Sequence, residues 1–237
     1  MVHGLLSSRA QWTPNLEALS RHCRPVVIEL FGHGRSPAPK DSKYYTPDNY
    51  SFEFDRIRKQ LSADKWFVCG QSLGGALSLR YALNYPDKVT AQVFTNSRSA
   101  LTDESMEEVM KALAKLLEEQ GREIIDNFPL HPSKNKRLDP DIKNALIQDI
   151  NLIDVNGFSN TCLYTIVGSS IRNILSKNKV PTLLIAGKYD KQFMPLIDVA
   201  KREFPLLEWM IFEGGHAVNL DAPEEFNEAV IDFISGF

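Results

Sequence analysis

The sequence predicts an α/β fold in which a mostly parallel sheet is flanked by helices. Short runs of apolar residues alternate along the chain with longer amphipathic stretches. Near-continuous apolar runs are typical of strands that are covered on both faces, and strand–helix alternation is typical of parallel sheets. The runs that we interpret as strands are residues 25–30, 66–69, 89–94, 180–186 and 207–212.

Helices are predicted between these runs. Thr13-Pro14 combines a capping residue with a proline in the first turn, so a helix is expected from there to Leu19. Apolar residues at helical spacing predict a second helix from Leu73 to Leu83. A last helix is expected after Asp221, which we interpret as its cap because Glu224 follows three residues later.

One region interrupts the alternation. Residues 98–179 contain no strong strand signal, and helices are predicted at 104–120, 140–153 and around 168–175. We therefore expect a core domain made of residues 1–97 and 180–237, with a helical cap, or lid, inserted before the penultimate strand. Such a cap forms the wall of a pocket or, alternatively, only thickens the core.

Composition excludes several classes of function. The 237 residues carry a formal net charge of −3, so no polycationic face indicates nucleic acid or an anionic membrane. No apolar run is long enough to span a bilayer, and the first residues lack the pattern of a signal peptide. The three cysteines have neither disulfide nor zinc spacing. We expect a cytoplasmic protein with no metal, no nucleic-acid partner and no membrane partner.

Ser72 is the candidate nucleophile. It stands in Gly70-Gln71-Ser72-Leu73-Gly74, directly after the strand at 66–69 and directly before a helix. This is the strand–turn–helix setting in which a Gly-x-Ser-x-Gly motif presents a strained serine to substrate. The helix that follows also directs free N–H groups toward the serine.

The nucleophile needs a base, and the base needs an acid. We choose His216 from the five histidines because it follows the last strand, at the carboxyl edge where open α/β sheets place their sites. Asp190 follows the preceding strand at the same edge and is the candidate acid. We interpret His3 and His33 as residues that support loops.

An oxyanion hole requires two N–H donors. One is expected from Leu73, next to the nucleophile. The other is expected from Leu5, in the segment His3-Gly4-Leu5, where the glycine allows close approach of the backbone.

Together these residues resemble the α/β-hydrolase superfamily, in particular its lid-bearing branch of esterases, perhydrolases and carbon–carbon hydrolases. The segments that carry the resemblance are residues 3–4, 32–36, 70–75, 187–190 and 214–216. The chain order of Ser72, Asp190 and His216 is also the order of the triad in that superfamily. The resemblance implies the α/β-hydrolase fold and an activity that requires no cofactor.

Departures from the family pattern narrow the reaction. Related carbon–carbon hydrolases have a tryptophan after the histidine where this chain has Ala217, and a related lyase has an arginine where this chain has Ala76. We therefore expect a serine carboxylesterase that hydrolyses small to medium uncharged esters through an acyl-enzyme. The alternatives are a carbon–carbon bond hydrolase of the meta-cleavage-product type and a hydrolase-fold receptor with slow turnover.

The start of the chain also departs from the family. Two strands usually precede the His-Gly segment, whereas only Met1 and Val2 precede His3 here. The N-terminal strands are therefore missing or shortened, or the natural start lies upstream. Unpaired strand edges are costly when buried, so we expect either that a second subunit covers this edge, as in a homodimer, or that the protein is only marginally stable.

Overall fold

Four parallel strands form the central sheet of the structure, a computed structural model that describes residues 1–237. They are β1 (Trp66–Gln71), β2 (Val89–Thr95), β3 (Thr182–Gly187) and β4 (Leu207–Phe212), and they lie in the sheet in that order. This confirms the predicted α/β class and four of the five predicted strands.

The predicted strand at 25–30 is wrong as a full strand. Val2 forms isolated parallel bridges to Ile28 on one side and to Gly70 on the other. The Met1 carbonyl accepts a hydrogen bond from Ile28 N–H (3.0 Å), and Val2 N–H donates to Cys69 O (2.8 Å). Since only Met1 and Val2 offer backbone groups to residues 25–30, the ladder ends after one bridge. The shortened N-terminal part of the sheet agrees with the sequence prediction.

Helices flank the sheet on both faces. They are α1 (Thr13–Ser20), α2 (Pro47–Gln60), α3 (Leu73–Asn84), α4 (Arg98–Leu101), α5 (Glu107–Gln120), α6 (Arg122–Asp126), α7 (Pro140–Ile150), α8 (Val155–Asn160), α9 (Ile197–Glu203), α10 (Val218–Asp221) and α11 (Pro223–Ile234). None of them combines the length and the apolar composition that a bilayer crossing requires.

Successive strand residues point to opposite faces, and each face has its own core. Val93 and Ile185 pack with Trp12 and Phe226, which bury α1 and α11 against one face. On the other face, Phe94 belongs to a cluster that includes residues of α3 and α9. Strands buried on both sides explain why the sequence shows continuous apolar runs.

All residues between β2 and β3 that have regular structure are helical. The helices predicted at 104–120 and 140–153 are found as α5 and α7. The helix predicted around 168–175 is found in part, as a 3-10 helix at Arg172–Lys177. The short helices α6 and α8, and a π-helical turn at Thr161–Ile166, have no clear sequence periodicity and were missed.

Residues 149–157 form one of the contacts that join the helical segment to the core. Asp149, at the end of α7, accepts hydrogen bonds from Ser8 Oγ (2.7 Å) and from the Arg35 guanidinium (2.7 Å). Asp154 N–H donates to Gly32 O (3.1 Å). Gly32 has a φ of +73°, and a Cβ there would lie 2.8 Å from Gly157 Cα, so two glycines allow the backbones to touch.

Candidate active site

Ser72 lies in the turn between β1 and α3, where the sequence predicted a nucleophile. Its φ is 53° and its ψ is −117°, in a region that residues other than glycine rarely occupy. Its N–H donates to Thr95 O (2.9 Å), and its carbonyl accepts from Ser97 Oγ (2.6 Å), so β2 and the residues after it hold the strained conformation.

The glycines around Ser72 permit this turn. A Cβ on Gly70 would overlap the carbonyl of Gly74, and a Cβ on Gly74 would overlap the carbonyl of Val2. The first turn of α3 therefore packs directly on the backbones of β1 and of the Val2 segment. This is the physical reason for the Gly-x-Ser-x-Gly spacing.

The structure brings His216 and Asp190 together. His216 Nδ1 lies 2.7 Å from Asp190 Oδ2. An ionised carboxylate only accepts, so the proton of the hydrogen bond belongs to Nδ1 and leaves Nε2 as the basic nitrogen. The Asp190 side chain is 9% exposed and that of His216 is 40% exposed. The acid is thus shielded, whereas the base is accessible from the cavity.

Asp190 is held in its ionised form by four donors. Its Oδ2 also accepts from Asn96 Nδ2 (2.8 Å), and its Oδ1 accepts the N–H groups of Gln192 (3.2 Å) and Phe193 (3.1 Å). Burial by itself would raise the pKa of Asp190, but the hydrogen bonds from His216 and Asn96 outweigh it and the pKa lies below its usual value.

Asn96 is a site residue that the sequence reasoning missed. It follows β2, has a φ of 41° and is fully buried. Its Oδ1 accepts the N–H of Gly187 (3.0 Å) while its Nδ2 binds Asp190, so it ties β3 to the acid. Its position directly after a strand was visible in the sequence, but only its contact with Asp190 identifies its role.

The loop of His216 is braced from two sides. Gln71 Nε2 donates to His216 O (2.9 Å), and Gly215 N–H donates to Asp221 Oδ2 (2.6 Å). Asp221 was expected to cap the last helix, and this expectation is wrong: the cap position of α11 is Ala222, with no side-chain hydrogen bond. The Asp221 carboxylate is used by the loop instead.

Ser72 and His216 are not joined by a hydrogen bond, but both line the same cavity. Catalytic hydrogen bonds are often formed only when substrate is bound, so this arrangement is compatible with a nucleophile and its base.

The segment His3-Gly4-Leu5 lies beside Ser72, as an oxyanion hole requires. A Cβ on Gly4 would be 3.2 Å from Ser72 Cβ, so the glycine permits this approach. The Leu5 N–H donates to no acceptor in the structure. Leu73 is the first residue of α3, where a backbone N–H has no partner within the helix.

His3 supports this segment. Its Nε2 accepts the N–H of Leu30 (3.0 Å), so the proton is on Nδ1, which donates to the Gly4 carbonyl (2.7 Å). Burial, together with the neighbouring ring of His33, lowers the pKa of His3 to about 3. Nδ1 of His33 donates to Phe31 O (3.1 Å), and burial lowers its pKa to about 4. Both rings are therefore neutral parts of the fold.

A cavity of about 460 Å³ opens above Ser72. The core contributes Leu5, Ser72 and His216 to its wall, and residues 129–132 and 134–138 of the helical segment line it as well. The helical segment also contains Met106, Phe128, Phe158 and Tyr164, whose side chains suit either a pocket wall or a core. None of them lines this cavity.

Comparison with known proteins agrees with this geometry. A sequence model described as "alpha/beta hydrolase fold" matches residues 1–137, more than half of the chain. The chain belongs to the α/β-hydrolase family.

Two curated relatives of this α/β hydrolase come from Bacillus subtilis (strain 168). One, whose provisional name is 2-succinyl-6-hydroxy-2,4-cyclohexadiene-1-carboxylate synthase, is 28% identical over 245 residues, covering 99% of this chain and 89% of the relative. The other, carboxylesterase YbfK, is 24% identical over 245 residues, covering 100% of this chain and 79% of the relative.

Solved structures agree on the fold. MenH from S. aureus superposes with a TM-score of 0.86 at 23% identity, covering 99% of this chain and 92% of that one. A thermophilic esterase from Thermogutta terrifontis has a TM-score of 0.84 at 20% identity, covering 99% and 88%.

The charge of the hydrolase's cavity differs from what the sequence suggested. Ala76 is fully buried in the core and does not line the cavity, so the absence of an arginine there does not determine the charge of the wall. Three cations, Lys134, Lys136 and Arg137, do line it. They were missed because nothing in the sequence places residues 129–138 over the site.

Proposed function

We propose that this α/β hydrolase is a serine carboxylesterase that cleaves small to medium esters through an acyl-enzyme. The observation that carries the proposal is the 2.7 Å contact between His216 Nδ1 and Asp190 Oδ2 beside a cavity that Ser72 also lines. The name of the carboxylesterase relative supports the choice of substrate. Residues 98–179 act as the cap that closes the site.

In the first half of the reaction, Ser72 Oγ attacks the carbonyl carbon of the ester while His216 Nε2 takes its proton. Asp190 holds the imidazole by Nδ1 and stabilises the imidazolium that forms. The carbonyl oxygen becomes an oxyanion, which accepts hydrogen bonds from the N–H groups of Leu5 and Leu73. The intermediate then breaks its bond to the alcohol oxygen, which takes the proton from His216.

In the second half, His216 Nε2 takes a proton from water as the water oxygen attacks the acyl carbon. The new tetrahedral intermediate expels Ser72 Oγ, which recovers the proton from His216, and the carboxylic acid leaves. Every proton in the cycle is carried by His216, and none of these steps uses a metal or an organic cofactor.

Hydrolysis of p-nitrophenyl acetate, butyrate and octanoate tests the proposal and gives the preferred chain length. We expect turnover by the wild type and a loss of at least a thousandfold in Ser72→Ala. Ser176→Ala is the matched control, because Ser176 is exposed and does not line the cavity, and it is expected to match the wild type. Equal rates for wild type and Ser72→Ala would refute the mechanism.

The two alternative functions, a carbon–carbon hydrolase and a receptor, remain predictions, and each would give a different experimental result. A carbon–carbon hydrolase would bleach the visible absorbance of a ring-fission dienoate and leave simple esters intact. A receptor would cleave its ligand far more slowly than an enzyme and change hydrogen exchange in the cap on binding. No contact in the structure favours either over ester hydrolysis.

A further inference from the structure

The cap side of the cavity carries uncompensated positive charge. Lys134, Lys136 and Arg137, which we call the basic wall, all line the cavity and all are exposed. None of them forms an ion pair, although many other lysines and arginines of the chain do. Lys134 Nζ donates to the Asn127 carbonyl, and the Arg137 guanidinium lies 5.4 Å from the centre of the Tyr189 ring. These contacts position the two side chains without neutralising them.

The rest of the cavity lining carries little negative charge. Asp221 is the only carboxylate that lines the cavity, and its Oδ2 accepts the Gly215 N–H (2.6 Å). The lining therefore holds three cations against one anion, in a chain whose formal net charge is −3. The excess of positive charge is a local property of this cavity and not of the protein as a whole.

The lining of the cavity is also apolar in part. Leu5, Leu130, Leu138, Leu146 and Leu220 line it. A ligand that fills the cavity would place hydrocarbon against these leucines. Its far end would meet the ammonium groups and the planar guanidinium, which suits a carboxylate.

We propose that the preferred substrates are esters with a carboxylate at the end remote from the scissile bond, and that the basic wall binds this carboxylate. The inference rests on the proposed esterase function and adds the charge of the substrate to it. It replaces the expectation of an uncharged substrate.

Matched pairs of esters test the proposal on both sides of the scissile bond. For the acyl side, mono-p-nitrophenyl adipate is compared with p-nitrophenyl hexanoate. For the alcohol side, the para-acetoxybenzoate anion is compared with its methyl ester. We expect kcat/KM for the anionic member of at least one pair to exceed that of the neutral member by about tenfold or more, the sum of a few partly exposed charge contacts.

The triple variant Lys134→Gln/Lys136→Gln/Arg137→Gln should abolish this preference, so that kcat/KM of the anionic ester falls to about that of the matched neutral ester. The control variant Lys115→Gln/Lys177→Gln/Lys179→Gln removes the same charge from exposed positions that do not line the cavity, and it should keep the preference. Raising the salt concentration to about 0.5 M should also reduce the preference, because screening shortens the reach of exposed charges.

The outcomes separate this proposal from the esterase proposal. If Ser72-dependent hydrolysis is found but the anionic ester is not preferred, or if the control variant has the same effect as the basic-wall variant, the substrate inference is wrong and the esterase function stands. If no ester is cleaved, calorimetric binding of monophenyl adipate and phenyl hexanoate to Ser72→Ala decides. Tighter binding of the anion that requires the basic wall supports the inference, and equal or absent binding overturns it.

Discussion

We predict that the protein loses stability in mildly acidic solution, because His3 and His33 are buried as neutral rings. Their ring centroids are 5.4 Å apart, and both side chains are fully buried. Burial, and for His3 the neighbouring His33 ring, lowers the pKa of His3 to about 3, while burial lowers that of His33 to about 4. In the unfolded chain both return to about 6.5. Below about pH 6.5 the unfolded state therefore binds protons that the folded state does not bind.

The size of the effect follows from proton linkage. The pKa of each histidine is lower in the folded protein than in the unfolded chain. The free energy of unfolding is therefore highest above about pH 6.5 and falls as the pH approaches the folded-state pKa. Each histidine then lowers the free energy of unfolding by about 1.4 kcal/mol per pH unit. Together the pair removes about 5 kcal/mol between pH 6.5 and 4.5, a large part of the 5–15 kcal/mol that is typical of folded domains.

Urea unfolding, followed by tryptophan fluorescence from pH 4.5 to 7.5, measures this slope. Most of the stability that is lost through carboxylates with a lowered pKa, such as Asp190, is lost below this range. His33→Asn is the informative variant, because an asparagine amide can still donate to the Phe31 carbonyl, and His33 Nε2 has no partner to lose.

We expect His33→Asn to show about half of the wild-type slope between pH 4.5 and 6. A slope unchanged from the wild type would show that His33 binds its proton equally well in both states. That result would refute the argument from burial.

Three further predictions concern the site. Asp190→Asn should lower kcat for ester hydrolysis by about a thousandfold or more with little change in stability, since it removes the charge that holds Nδ1–H, and a rate near wild type would contradict the triad. Asn96→Ala should raise the pKa of Asp190 by removing a donor, so the acid limb of the pH–rate profile moves to higher pH; an unmoved profile would make Asn96 purely structural. Gly187→Ala should lower the free energy of unfolding, measured in urea, by about 2 kcal/mol or more, because the added Cβ would overlap Gly215 O. In the control variant Gly236→Ala, the nearest atom to the added Cβ lies at 3.4 Å, and the free energy should change by less than about 1 kcal/mol.

Local sequence signals were enough for the four strands of the sheet and for placing the candidate triad at its carboxyl edge, but they predicted one strand too many at residues 25–30. Ser72 is marked by an apolar strand before it, a helix after it and glycines around it, which are all short-range features. Asp190 and His216 each follow a strand, and parallel strands bring their carboxyl ends to one edge. The sheet topology therefore places all three residues at one edge of the sheet, and the sequence shows the strands.

Features that depend on long-range packing could not be read in the same way. Asn96 looks like an ordinary loop residue until its distance to Asp190 is known. Asp221 precedes α11 and fits the sequence pattern of a helix cap. Its carboxylate accepts a hydrogen bond from the Gly215 N–H instead. Lys134 and Arg137 lie between α6 and α7, where the only regular element is the short 3-10 helix Pro132–Lys134, and their place over the site depends on how this segment packs on the core.

The way in which the helical segment between β2 and β3 packs on the core has a consequence for changes in selectivity. The joint made by Ser8, Arg35 and Asp149, together with the touching backbones of Gly32 and Gly157, anchors residues 149–157 to the core. Residues 129–138, which carry the basic wall, lie outside that joint. We expect that residues 129–138 can be replaced by the corresponding segment of another hydrolase. Such a replacement would change the substrate selectivity and leave the contacts of residues 149–157 and the positions of Ser72, Asp190 and His216 unchanged.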